Sequence, residues 1–151
     1  MPPAMREQPV EVLLVEDNPA DARLTLTALR DARSPSEVHV VTDGEEALAF
    51  LKLEGDHVNA PRPDLVFLDL SLPKVDGYQV LAAMKADPVL RRIPVVVISS
   101  SSREIDIARA YDAQVPAYLI KPRGVDHYFA AIRRWRYRRR KEAAFHLIAR
   151  A

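Results

Sequence analysis

Cysteine is absent from the 151-residue chain. That excludes a disulfide framework, a zinc-thiolate site, a thiol nucleophile and the redox chemistry that goes with them. Glycine is scarce, with four residues, while apolar residues make up 48% and charged residues 28%, which excludes a fibrous or disordered composition and fits a globular one. No apolar run approaches the ~18 residues of a membrane helix. Residues 1–9 contain two consecutive prolines and no apolar stretch of the signal-peptide kind. The expected location is the cytoplasm, with no membrane contact. The length suits one domain with a real core and leaves no room for a second catalytic domain of ordinary size.

What is present is organised by period. Five short runs rich in Val, Ile and Leu read as strands: Val10 to Val15, Val38 to Val41, Leu65 to Leu68, Val95 to Ile98 and Ala117 to Ile120. Three are nearly continuous in apolar character, as strands of a parallel sheet covered on both faces should be. Between them lie helical patterns. Asn18-Pro19 is a capping residue followed by proline at the first helical position, with an apolar face running to about Arg33. Further helices are expected over Glu45 to Leu53, Tyr78 to Ala86 and Glu104 to Ala113, and a last one from Val125 or Asp126 onward. Residues 55–63 are a polar surface excursion. The order βα repeated five times gives, through right-handed crossovers, a five-stranded parallel sheet with helices on both faces.

In such a sheet ligands bind at the carboxyl ends of the strands. Glu16-Asp17 follows the first strand and Asp69 closes the third, so three carboxylates can meet at one edge. Like charges this close repel unless a cation sits among them. A hard divalent ion answers that need, and Mg²⁺ takes carboxylates, waters and a phosphate oxygen. Ser99 after the fourth strand adds a hydroxyl and Lys121 after the fifth adds an ammonium. Carboxylate nucleophile, metal, hydroxyl and ammonium together suit an aspartyl-phosphate site. The plain alternatives are a helix-capping role for Glu16-Asp17, a loop role for Ser101 and Ser102, and turn chemistry for Asp76-Gly77. The four histidines, at 39, 57, 127 and 146, have no ligand spacing.

Four segments in this order carry a resemblance: LLVEDNPADARL with the acidic pair, DLVFLDLSLPKVDGYQVL around Asp69, IPVVVISSS with Ser99, and AYLIKP with Lys121. From about Val10 to Trp135 the chain resembles the receiver domain of response regulators, the CheY-like family. It is also similar to single-domain regulators paired with phytochrome-type histidine kinases. The resemblance implies a flavodoxin-like (βα)5 fold and a phosphoryl group accepted on Asp69 from a histidine kinase or histidine phosphotransfer protein. It further implies Mg²⁺ held by Asp17, Asp69 and the Ser71 carbonyl, with Glu16 acting through a metal-bound water. Ser99 and Lys121 would grip the phosphoryl oxygens, Tyr118 would be the aromatic switch, and the Lys121-Pro122 bond would be cis. The lesser alternative for Tyr118 is a plain strand aromatic filling a half-buried space. Ser100 and Arg123 depart from the smaller residues frequent at those positions.

Charge is distributed unevenly. Net charge is +1, yet residues 121–151 carry ten Lys/Arg against two Asp/Glu, and Arg133 to Lys141 holds seven positive residues in nine. The expected organisation is a flexible lead over residues 1–9, a receiver domain over 10–135, and a basic helical extension over 136–151. The basic end can be a solvated helix face, a nucleic-acid contact or a protein contact. Nucleic acid is disfavoured because ~30 residues cannot supply the separate effector domain that a DNA-binding regulator normally carries. A homodimer through the fourth helix, fifth strand and fifth helix is the favoured partner reading. The function expected is a phosphorylation-controlled binding module rather than an enzyme. The rivals are a metal-dependent phosphohydrolase with an aspartate nucleophile and a nucleic-acid-binding protein.

Overall fold

The computed structural model describes residues 10–30, 36–100, 103–113, 115, 117–121 and 146–148. Six strands are described: β1 (Val10–Val15), β2 (Ser36–Val41), β3 (Leu65–Asp69), β4 (Val95–Ser99), β5 (Ala117–Ile120) and β6 (His146–Ile148). The helices are α1 (Pro19–Arg30), α2 (Gly44–Lys52), α3 (Gly77–Ala86) and α4 (Glu104–Asp112). All neighbouring strands pair in parallel, in the order β2-β1-β3-β4-β5-β6. The first five strands therefore follow the flavodoxin-like order, with the reversal of strand order along the sheet falling between β1 and β3.

The apolar runs of β3 and β4 are wetted on neither face. Every residue of β3 and of β4 is buried. Leu13, Val15, Val66, Leu68, Val97 and Tyr118 point to the face covered by α2, α3 and α4. Val12, Leu14, Leu65, Phe67, Val96 and Ile98 point to the other, where Ala22, Ala28 and Leu29 of α1 pack. The alternation is the period-2 geometry of a strand, and a slip of one residue would exchange the two cores. Each fully buried Val, Leu or Phe contributes about 1.5–3 kcal/mol of transfer free energy, set against the entropy of ordering it.

Local capping fixes where the helices start. Asn18 Oδ1 accepts from the Ala20 and Asp21 backbone N–H groups at 2.9 and 3.1 Å. Asp43 caps α2 through Glu46 N at 2.7 Å. Asp76 caps α3 in a reciprocal box with Gln79, both bonds 2.9 Å. Leu53 closes α2 in the left-handed region, at φ 58°, so this helix begins and ends one residue earlier than the expected Glu45 to Leu53. The 55–63 excursion opens with a single 3-10 turn at Gly55–His57. The His57 ring lies 5.2 Å from that of Phe50, which ties the excursion to α2.

One expectation needs correction. The sheet has six strands, and residues 146–148, expected to be helical, form β6 on the outer edge of β5. An unpaired strand edge is a row of unmet backbone donors and acceptors, and a short apolar segment satisfies it. The last helix expected from Val125, the cis Lys121-Pro122 bond, Arg123, Ser101 and Ser102, residues 31–33 of the first helix, and residues 1–9, 136–145 and 149–151 lie outside the described residues. Among the described residues no helix is long and apolar enough to cross a membrane.

Candidate functional site

At the carboxyl end of β1 the chain stays in the ladder for one more bond, Glu16 N to Val41 O at 3.0 Å. The Glu16 side chain then turns inward and is only 1% exposed. Its Oε1 accepts from Asn18 N at 3.1 Å, and its Oε2 lies 2.8 Å from Lys121 Nζ. Asp17 is exposed. Asp69, the last residue of β3, is 5% exposed, with Oδ1 accepting from Ser71 N at 2.9 Å and Oδ2 from Lys121 Nζ at 3.0 Å. Lys121 stands beside Ser99 because its backbone N–H donates to the Ser99 carbonyl at 2.7 Å. Ser99 itself is buried at the end of β4.

The loop after Asp69 is held down by close backbone approaches. A Cβ on Gly77 would come within 2.7 Å of the Asp69 carbonyl oxygen and 2.6 Å of Leu70 Cα. Gly77 N donates to the Leu70 carbonyl at 3.1 Å. A Cβ on Gly44 would overlap the Val75 carbonyl, so the start of α2 and this loop touch through their main chains. Lys74, at φ 65°, reaches Asp43 at 3.6 Å. Asp76-Gly77, read as turn chemistry, thus acts as the cap of α3 and as the spacer that lets α3 sit against Asp69.

One carboxylate oxygen each from Glu16, Asp17 and Asp69 lies within 4.8 Å of the others. This all-oxygen, anionic set suits a hard divalent cation. Burial pushes the Glu16 carboxyl up from 4.5 to about 7, with the neighbouring Asp69 adding to the rise and Lys121 opposing it. Burial alone would lower the Lys121 ammonium, but hydrogen bonds to Asp21 and Glu16 and the charge of Asp69 outweigh it and hold the group above its ordinary value. Lys121 is therefore a fixed positive charge, while Glu16, raised to about 7, is divided near neutral pH between its protonated and ionised forms, and a bound cation would favour the ionised one.

Tyr118 is fully buried on the α2, α3 and α4 side of the sheet. Ser71 contributes its N–H to Asp69. Asp21 was given no role from sequence, yet its Oδ2 lies 2.8 Å from Lys121 Nζ, across 100 residues of chain. The signal was its place in the first turn of a capped helix that starts immediately beyond a strand end.

Among known proteins, the family model described as "Response regulator receiver domain" matches residues 12–133. The chain belongs to this family. Response regulator Rcp1 of Synechocystis sp. is 44% identical over 124 residues, covering 82% of this chain and 84% of Rcp1. The crystal structure of the phosphorylated cyanobacterial phytochrome response regulator RcpA superposes with a TM-score of 0.81 at 46% identity, covering 87% of this chain and 94% of RcpA. The Mn²⁺-bound form of Rcp1 superposes with a TM-score of 0.78 at 42% identity, covering 84% and 91%. This receiver is thus a response regulator of the two-component type, related to phytochrome-associated regulators. Members of the family are in general signalling modules rather than enzymes, with a divalent metal bound at an acidic pocket, and the Glu16, Asp17 and Asp69 cluster fits such a pocket.

Proposed function

We propose that this receiver takes a phosphoryl group onto Asp69 from a histidine kinase or a histidine phosphotransfer protein and signals through a phosphorylation-dependent protein contact in the cytoplasm. The observation that carries the reading is the setting of Asp69. It closes β3 at the topological switch point, is nearly buried, shares a 4.8 Å carboxylate cluster with Glu16 and Asp17, and has Lys121 Nζ 3.0 Å from one oxygen. In the transfer a carboxylate oxygen of Asp69 bonds to phosphorus, the phosphorus–nitrogen bond of the phosphohistidine breaks, and the electron pair returns to the imidazole. The chain's contribution is positioning and charge neutralisation.

Asp17, Asp69 and the Ser71 carbonyl, with Glu16 through a water, are the groups that would hold Mg²⁺, whose charge when bound offsets both the cluster and the phosphoryl oxygens. Lys121 donates to the phosphoryl group from the β5 side, and the Ser99 hydroxyl from β4. Movement of Ser99 toward the phosphate changes the space available to Tyr118 one strand away, which couples the site to the surface of α4. On that surface Ile105 and Tyr111 are each 62% exposed. These side chains support a homodimer on the α4 side of β5 and of the helix expected to follow it, strengthened by phosphorylation, with β6 rather than β5 as the outermost strand there.

The test is incubation with a small phosphodonor and Mg²⁺, followed by intact mass. One acyl phosphate per chain, lost in Asp69→Asn, is the expected result. Labelling retained in that variant, or sustained turnover of phosphate esters, overturns the reading. Light scattering at micromolar concentration with and without phosphodonor tests the dimer, and a monomer in both states removes it.

A further inference from the structure

We propose that Asp21 is a positioning residue that governs how readily Lys121 turns to a phosphoryl group on Asp69. The inference rests on the phosphoacceptor reading and adds to it a fourth carboxylate. Lys121 Nζ has three N–H donors, and three carboxylates take them: Glu16 at 2.8 Å, Asp21 at 2.8 Å and Asp69 at 3.0 Å. An arriving phosphoryl oxygen therefore has to displace one of these partners.

The three are not equally easy to displace. The Glu16 side chain is 1% exposed and held by Asn18 N, so abandoning Lys121 would leave a buried carboxylate short of a partner. Asp69 is the group being modified. The Asp21 side chain is 33% exposed, so water can replace the ammonium there at small cost. Its backbone cannot wander, because Asp21 N donates to Asn18 Oδ1 at 3.1 Å and the Asp21 carbonyl accepts from the Thr25 hydroxyl at 3.1 Å. Asp21 is thus a fixed, rim-side acceptor that holds Lys121 in the resting state and releases it on phosphorylation. Its charge also opposes an anionic phosphodonor.

Neutralising Asp21 has two consequences of opposite sign. Lys121 gains an uncommitted donor and the rim loses a negative charge, so transfer becomes faster. The ammonium also falls more fully on Glu16 and Asp69, so a divalent cation competes less well for those carboxylates. A merely structural role would move both quantities downward.

The experiment compares wild type, Asp21→Asn and Asp21→Glu in labelling by a small anionic phosphodonor at saturating Mg²⁺, with Mg²⁺ affinity measured separately. For Asp21→Asn we expect labelling faster by roughly threefold to tenfold, the size of one unit charge a few ångström away in a partly wet site. We also expect weaker Mg²⁺ binding, and a rate difference that narrows as salt is added. Asp21→Glu, which keeps the charge, should stay near wild type in both. Asp21→Asn labelling at or below the wild-type rate, or a tightened Mg²⁺ affinity, overturns the inference while leaving the phosphoacceptor reading intact. Failure of the wild type itself to label overturns both.

Discussion

The two ends of one sheet handle charge in opposite ways. At the carboxyl end, Glu16, Asp21 and Asp69 crowd around the ammonium of Lys121, Asp17 lies in one carboxylate cluster with Glu16 and Asp69, and burial lifts Glu16 to about 7. At the amino end of β4, Leu81, Met84, Leu90, Ile93, Val95 and Val115 line a small hollow together with the cationic Lys85, Arg91 and Arg92. Asp87, at the end of α3, lies on the surface, where hydrogen bonds donated by the Leu90 and Val89 N–H groups hold its carboxyl below the usual range. One end has its polar groups satisfied locally and contributes stability. The other keeps like charges together, which costs stability that a cation or phosphoryl transfer can use.

The largest expected separation between the two ends comes from Asp69→Asn. It removes all acyl-phosphate formation while leaving the melting temperature of the metal-free protein equal or higher, since one of the three clustered carboxylates is gone. A lower melting temperature would mean that the Lys121 bond outweighs the repulsion. Met84→Ala at the other end has the reverse signature. It removes a side chain only 2% exposed and should cost about 2–5 kcal/mol in denaturant unfolding, with the labelling rate of the folded fraction unchanged.

Gly77→Ala probes whether the ends are separable at all, because its new Cβ would press on the Asp69 carbonyl and on Leu70. A loss of about 1–3 kcal/mol is expected from the overpacking, and slower labelling with it as Asp69 shifts. Normal labelling in a destabilised Gly77→Ala protein would show that the phosphoacceptor tolerates movement of α3.

Smaller effects concern the metal. Isothermal titration should show Mg²⁺ affinity rising up to about tenfold between roughly pH 6 and pH 8, as Glu16 no longer has to surrender a proton. The sign for folding is opposite: with its carboxyl raised from 4.5 to about 7, Glu16 contributes stability to the metal-free protein at low pH. That contribution is lost as pH climbs through about 7. Asp17→Ala should weaken Mg²⁺ more than Glu16→Ala does, and equal losses would reverse the assignment of Asp17 as the direct ligand.

Much of the fold is readable in the residues alone. The strand runs around Val12, Phe67 and Val97 declare themselves because a strand buried on both faces must be apolar throughout, and Asn18-Pro19 announces α1 by capping chemistry alone. That Glu16, Asp17, Asp69, Ser99 and Lys121 share one edge of the sheet was legible because each sits at or next to the end of a recognisable strand, and parallel strands bring their carboxyl ends together. β6 was not legible: His146 to Ile148 follows a long basic stretch, and nothing local distinguishes a helix end from a segment that pairs with an open edge. Asp21 was missed for a similar reason, since its partner is 100 residues away.

The sequence by itself determined the alternation of elements, the helix starts and which residue types stand at the strand ends, because these depend on contacts within a few residues and on a period of two or 3.6. Only the tertiary structure decided how one ammonium is divided among three carboxylates, how far burial lifts Glu16, and that Gly77 must lack a side chain for α3 to rest against Asp69. Those outcomes depend on distances between segments far apart in the chain and on the water excluded when they meet, and neither quantity is written in any local stretch of residues.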